Sequence, residues 1–176
     1  MKTIKEPTQQ NVIVTQLRQF AELCSGRQKM FYEQQLRDVH KVQCVSIHDV
    51  FDATEIYRIK RYIKPEQRMC YKNAHLLTAL FPDRVQYTEG YVAIFNGGLG
   101  IEHAWNKVGD VYVDVTFEMA LKENPTKELY MALGTYNLAT ITEVTSETGY
   151  YGSIYNHKMI DILKTINNRF LWKTLI

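Results

Sequence analysis

No stretch of this sequence approaches the roughly eighteen consecutive apolar residues of a membrane span, and the opening residues MKTIKEPTQQ lack the apolar run of a signal peptide. These absences lead to the expectation of a soluble, cytoplasmic chain with no membrane partner. Cysteine is scarce: Cys24, Cys44 and Cys70 are an odd number with no CxxC pair, which excludes a disulfide framework and a zinc ribbon. Charge of one sign is lacking too. Twenty-one Lys and Arg residues against 19 Asp and Glu give a formal +2, too balanced for a nucleic-acid partner. The basic run Arg58-Ile59-Lys60-Arg61 with Lys64 reads as the solvated face of a helix. There is no internal repeat and no low-complexity tract. What is present, 45% hydrophobic and 23% charged residues in 176 positions, fits one globular domain and excludes a disordered tail, a coiled coil or a fibre.

The single domain divides by pattern into three parts. Residues 1–64 read as helical. Val14, Leu17, Ala21 and Cys24 recur at helical spacing before the stop signal Ser25-Gly26, Met30, Phe31, Leu36 and Val39 suggest a second helix, and Ser46 or Asp49 to Tyr62 a third. Cys24 and Cys44 are expected to be buried, inert thiols. Residues 65–117 begin with a helix over Cys70–Phe81, closed by Pro82-Asp83. Short β-branched and aromatic runs follow at Val85–Tyr87, Gly90–Phe95, Glu102–Lys107 and Val111–Thr116. The turn signals Asn96-Gly97-Gly98 and Val108-Gly109-Asp110 make these antiparallel hairpins. In residues 118–176 a polar stretch, Glu118–Glu128, is broken at Asn124-Pro125. Ile141–Thr145 reads as a strand, and Ile154 to Trp172 as a closing helix with Met159, Ile162, Leu163, Ile166 and Phe170 on its apolar face. The class is α+β: a helix feeding a small antiparallel sheet, with a helical N-terminal extension and a C-terminal helix.

One constellation carries chemistry. Cys70 opens the central helix, where free N–H groups and partial positive charge favour a thiolate. His103 lies in Glu102-His103-Ala104-Trp105-Asn106 and Asp114 in Tyr112-Val113-Asp114-Val115-Thr116, on either side of the Val108-Gly109-Asp110 turn. A hairpin folded there brings imidazole and carboxylate within reach if the register puts them on one face. A histidine acting as base needs its second ring nitrogen held by such an acceptor. Asp110, in the turn, is better explained as a hairpin residue. Spacing would allow His40, Cys44 and His48 to share a helix face as zinc ligands. The strand-like Val42, Val45 and Ile47, and the lack of a fourth ligand, argue against it, so no metal and no cofactor are implied.

In this order Cys70 and Ala74, Arg84-Val85, Gly90-Tyr91, His103-Ala104-Trp105 and Asp114-Val115-Thr116 resemble the transglutaminase-like superfamily of papain-like cysteine enzymes. The likeness covers about residues 68 to 117, and Tyr150-Tyr151-Gly152 is similar to small bacterial and phage members. Tyr112 stands where many members carry tryptophan, Asp114-Val115 replaces the commoner Asp-Pro, no acidic calcium loop is visible, and the N-terminal extension has no counterpart.

The resemblance implies a papain-like core and a Cys70–His103–Asp114 triad acting on an amide or acyl group of a protein, peptide or small amide substrate. Hydrolysis as peptidase, amidase or deamidase is favoured over acyl transfer. The backbone N–H of Cys70 is the expected first oxyanion donor, with Gln67 the side-chain candidate and Asn73 assigned to the helix surface or a cap. Trp105 and Tyr91 are candidates for the substrate cleft. The alternative reading is a non-catalytic protein-binding domain that retains the fold. Oligomeric state is not written in the sequence.

Overall fold

The computed structural model describes residues 11–94 and 98–173, with side chains through residue 164; Phe95 at the end of the expected run Gly90–Phe95 and Asn96 and Gly97 of the first expected hairpin turn lie outside the described residues. Among the described residues there are six α-helices: α1 Val12–Leu23, α2 Gly26–Asp38, α3 Ala53–Arg58 (continued by a π-helical turn, Ile59–Ile63), α4 Cys70–Leu80, α5 Leu138–Thr148 and α6 Ile154–Lys173. The strands are β1 His40–Val42, β2 Cys44–Val45, β3 Val85–Ile94, β4 Leu99–Val108, β5 Val111–Val113 and β6 Leu129–Tyr136. They form one curled six-stranded sheet in the order β1-β6-β3-β4-β5-β2, antiparallel except where β2 runs parallel to β5.

Helix α4 lies on one face of the sheet, burying Ala74 with Tyr87 and Ala104, and Leu77 with Val85, Val108 and Val113. Farther along, α1 buries Ile13 and Leu17 against Tyr91, Ala93 and Met131. On the opposite face Val42, Cys44, Val92, Trp105, Phe117, Tyr130 and Ala132 form a separate aromatic-rich cluster. The β4–β5 hairpin turns where expected: Val108 pairs with Val111 across Gly109-Asp110, and Gly109 takes the left-handed conformation (φ 59°) that such a tight turn requires.

Several expectations need correction. The N-terminal 64 residues are not wholly helical, because the alternating segment His40–Val45 supplies β1 and β2. The buried stripe of α1 is Ile13, Leu17 and Ala21, at four-residue steps, and Cys24 is a half-buried C-cap residue. Ile141–Thr145 lies within α5. Its β-branched composition suggests a strand, but Asn137 caps a helix there, Ile141 and Val144 are its buried face, and Gly149 ends it at φ 75°. A further strand missing from the sequence expectations is β6, which lies between β1 and β3 in the sheet. In α6, Met159 is buried but Ile162 is half exposed, and the side chains of Ile166 and Phe170 lie outside the described residues. Among the described residues no helix is long and apolar enough to cross a membrane.

Two residues of β3 fix the sheet near its middle. Glu89, 2% exposed, accepts hydrogen bonds from Tyr87 (2.9 Å), Ser153 (3.1 Å) and the backbone N–H groups of Ile154 and Tyr155, anchoring the start of α6. Burial raises its pKa to about 7, although these four donors pull it down. Gly90 is paired with His103 on one side and Ala132 on the other, at an irregularity in the β3–β6 register. A Cβ there would collide with the carbonyl oxygen of Met131. Gly90→Ala is therefore expected to lower the unfolding free energy by about 3 kcal/mol through overpacking against backbone, read as a fall in the urea midpoint.

Candidate active site

Cys70 is the first residue of α4, so its N–H has no acceptor within the helix; the first helical bond runs from Asn73 N–H to the Met69 carbonyl at 2.8 Å. The segment leading to it contains two non-glycine residues in the left-handed region, Lys64 (φ 50°) and Arg68 (φ 63°). Asn73 holds this segment in place. It is 1% exposed, not a surface residue. Its amide donates to the Glu66 carbonyl (2.8 Å) and to Thr116 Oγ1 (3.1 Å), and its oxygen accepts from Glu66 N–H (3.2 Å). Asn106 ties the same helix to β4, donating to the Ala74 carbonyl at 2.9 Å and to Thr78 Oγ1 at 3.1 Å. The thiol and the strand bearing His103 are thus fixed to each other through buried amides.

His103, 4% exposed, meets Asp114, 0% exposed, through Nε2 and Oδ2 at 2.6 Å. Tyr130 on β6 donates to the same Oδ2 at 2.9 Å. The other carboxylate oxygen accepts from the backbone N–H groups of Thr116 (2.9 Å) and Phe117 (3.1 Å), so Asp114 also caps the π-helical turn Thr116–Leu121. With Nε2 engaged, the other ring nitrogen of His103 is the one left for Cys70, which lines the same cavity and acts electrostatically on the imidazole. Burial alone would drive the imidazole pKa down. The Asp114 carboxylate, its hydrogen bond and the adjacent Cys70 outweigh that and raise it to about 10. On the far side, Tyr130 also contacts Cys44, whose fully buried thiol is pushed far up and stays protonated.

Cys70 and His103 open onto a cavity of about 540 Å³ walled by Ile94 and Ile101 of the β3–β4 hairpin and by Phe117 and Leu121 of the capped turn. The cleft candidates Trp105 and Tyr91 are not among the described residues that line it. Trp105 is wholly buried behind His103, their rings stacked at 6.1 Å, and Tyr91 faces the helical side, donating to Gln35 at 3.0 Å. Strand alternation explains both: Trp105 shares the face of His103 but sits deeper in the aromatic cluster, while Tyr91 points to the other face. Gln67 directs its amide to the Ala120 carbonyl at 3.3 Å and likewise does not line the cavity. Tyr130, Thr116 and the wall residues escaped sequence reasoning. The run Leu129–Tyr136, apolar and bounded by Pro125 and Asn137, was the available signal for β6.

Among the described residues no group of three or more His, Cys, Asp or Glu side chains could hold a metal ion. No family model, no curated protein and no solved structure matches this chain.

Since the folded pKa of His103 exceeds its ordinary 6.5, its protonation contributes stability that is fully present below pH 6.5 and is lost as pH rises through about 10. Asp114→Asn should remove that dependence and, by breaking a buried pair, cost about 3–5 kcal/mol, measured by denaturant unfolding at pH 6, 8 and 9.

Proposed function

We propose that this chain is a thiol-dependent hydrolase related to the papain-like, transglutaminase-like enzymes, cleaving an amide or acyl bond with Cys70 as nucleophile. The observation that carries the reading is the His103–Asp114 contact at 2.6 Å, with Cys70 facing the same imidazole at the mouth of a cavity. In this reading Cys70 Sγ, as thiolate, bonds to the carbonyl carbon while His103 holds the thiol proton. The oxyanion that develops is met by the N–H of Cys70 at the start of α4, a donor unpaired within the helix. His103 then gives its proton to the leaving amine as the carbon–nitrogen bond breaks. Water, deprotonated by the same imidazole, attacks the thioester, releases the acid and returns the proton to sulfur. Asp114 keeps the ring in the orientation and tautomer that these transfers require. The apolar walls limit competing water around the sulfur, while the open side admits the hydrolytic molecule.

Cys70→Ala and His103→Ala are expected to lower turnover of a responsive acyl substrate by roughly a thousandfold or more with the fold retained by circular dichroism. In a Cys24→Ser background, which removes the half-buried thiol, iodoacetamide should label Cys70 and leave the buried Cys44 unmodified in the native state. Equal turnover by Cys70→Ala would refute the mechanism. Tyr130→Phe deletes one charge-assisted bond to Asp114 without changing the ring, and is expected to reduce kcat by about 10- to 100-fold with little change in KM.

A further inference from the structure

The walls of the cleft carry information about what it accepts. Ile94, Ile101 and Leu121 are each only half-buried, and Phe117 sets its ring edge-on to the His103 imidazole at 5.3 Å. Apolar surface thus remains open to solvent directly beside Cys70, and a ligand with an apolar side chain gains by covering it. At about 540 Å³ the cavity lies in the range that holds a whole small ligand and not merely an amide group. The charged lining is unequal: Glu102 and Glu123 bring two carboxylates, Arg68 a single cation. Among the described residues none of the three forms an ion pair, and Glu102 has only long contacts, 3.5 Å to the Tyr71 hydroxyl and 3.5 Å to Asn156. An anionic group next to the scissile bond would meet net like charge; a neutral or cationic one would not.

We infer that the cleft selects an acyl donor with a bulky apolar side chain next to the scissile bond, in a neutral or cationic setting, and discriminates against small and anionic acyl groups. This deepens the thiol-hydrolase reading and rests on it.

The test uses the full chain and N-acetyl-aminoacyl vinyl sulfones bearing leucine, glycine or glutamate side chains, each of which captures a thiol by addition across its carbon–carbon double bond. Modification of Cys70 is followed by intact mass, and each rate is divided by that of iodoacetamide. The leucine probe is expected to react about tenfold or more faster than the glycine and glutamate probes. Leu121→Glu or Ile101→Glu, both at half-buried positions, should collapse the leucine-to-glycine ratio toward one. Leucine and glycine probes reacting within twofold of each other, or glutamate reacting fastest, while iodoacetamide labels Cys70 readily, would overturn the substrate class and leave the nucleophile standing. Failure of every reagent at Cys70, iodoacetamide included, would remove the thiol-hydrolase reading and this inference together.

Discussion

The Asp114 carboxylate is the point at which the molecule's parts meet. One oxygen binds an imidazole and a phenol; the other binds two consecutive backbone N–H groups. A carboxylate at 0% exposure is costly to desolvate unless its lone pairs are answered, and here four donors from three elements answer them. The β4 strand, the β6 strand and the turn after β5 therefore hold one another in register, because each supplies a donor to the same buried charge. Leaving one oxygen under-solvated would cost more than any single bond contributes, which makes the arrangement cooperative.

Around that charge the fold uses neutral amides to set distances. Asn106 holds α4 against β4, and Asn73 holds both the approach to Cys70 and the turn bearing Thr116. Gly90 lets β6 come close enough to β3 for Tyr130 to reach across, since any side chain there would strike the neighbouring backbone. Backbone hydrogen bonding thus places His103 and Asp114, and side-chain amides restrain the pieces that backbone pairing does not reach. The helix carrying the thiol is packed by Ala74 and Leu77, small and aliphatic residues that seat it directly on the sheet.

Much of this was legible in the residues. The hairpin after His103 follows from Gly109-Asp110 between β-branched runs, and the start of α4 at Cys70 follows from its helical spacing and the breakers around it; both are local signals. The contact between His103 and Asp114 was readable because a short hairpin makes sequence distance a guide to spatial distance. Tyr130 was not, since its partner Asp114 is reached only through the sheet order, with β6 returning to pair with β3 after a long excursion. The same limit explains Trp105 and Tyr91. An aromatic residue near a reactive one in sequence can be wall, floor or opposite face, and only register and curl decide which. Ile141–Thr145 shows the competing pull of intrinsic preference and context: β-branched residues that favour extended chain were overruled by an asparagine cap and a buried helical face.

Asp114 orients the imidazole and also caps the turn that presents Phe117 and Leu121 to the cleft. That shared duty constrains how such a chain can diverge. Under the proposed chemistry, a lineage that replaced Cys70 would keep the cleft intact and be free to become a recognition module. A lineage that replaced Asp114 would dismantle the cleft in the same step. On that proposal, non-catalytic descendants of this architecture should bear their change at the sulfur and preserve the acid.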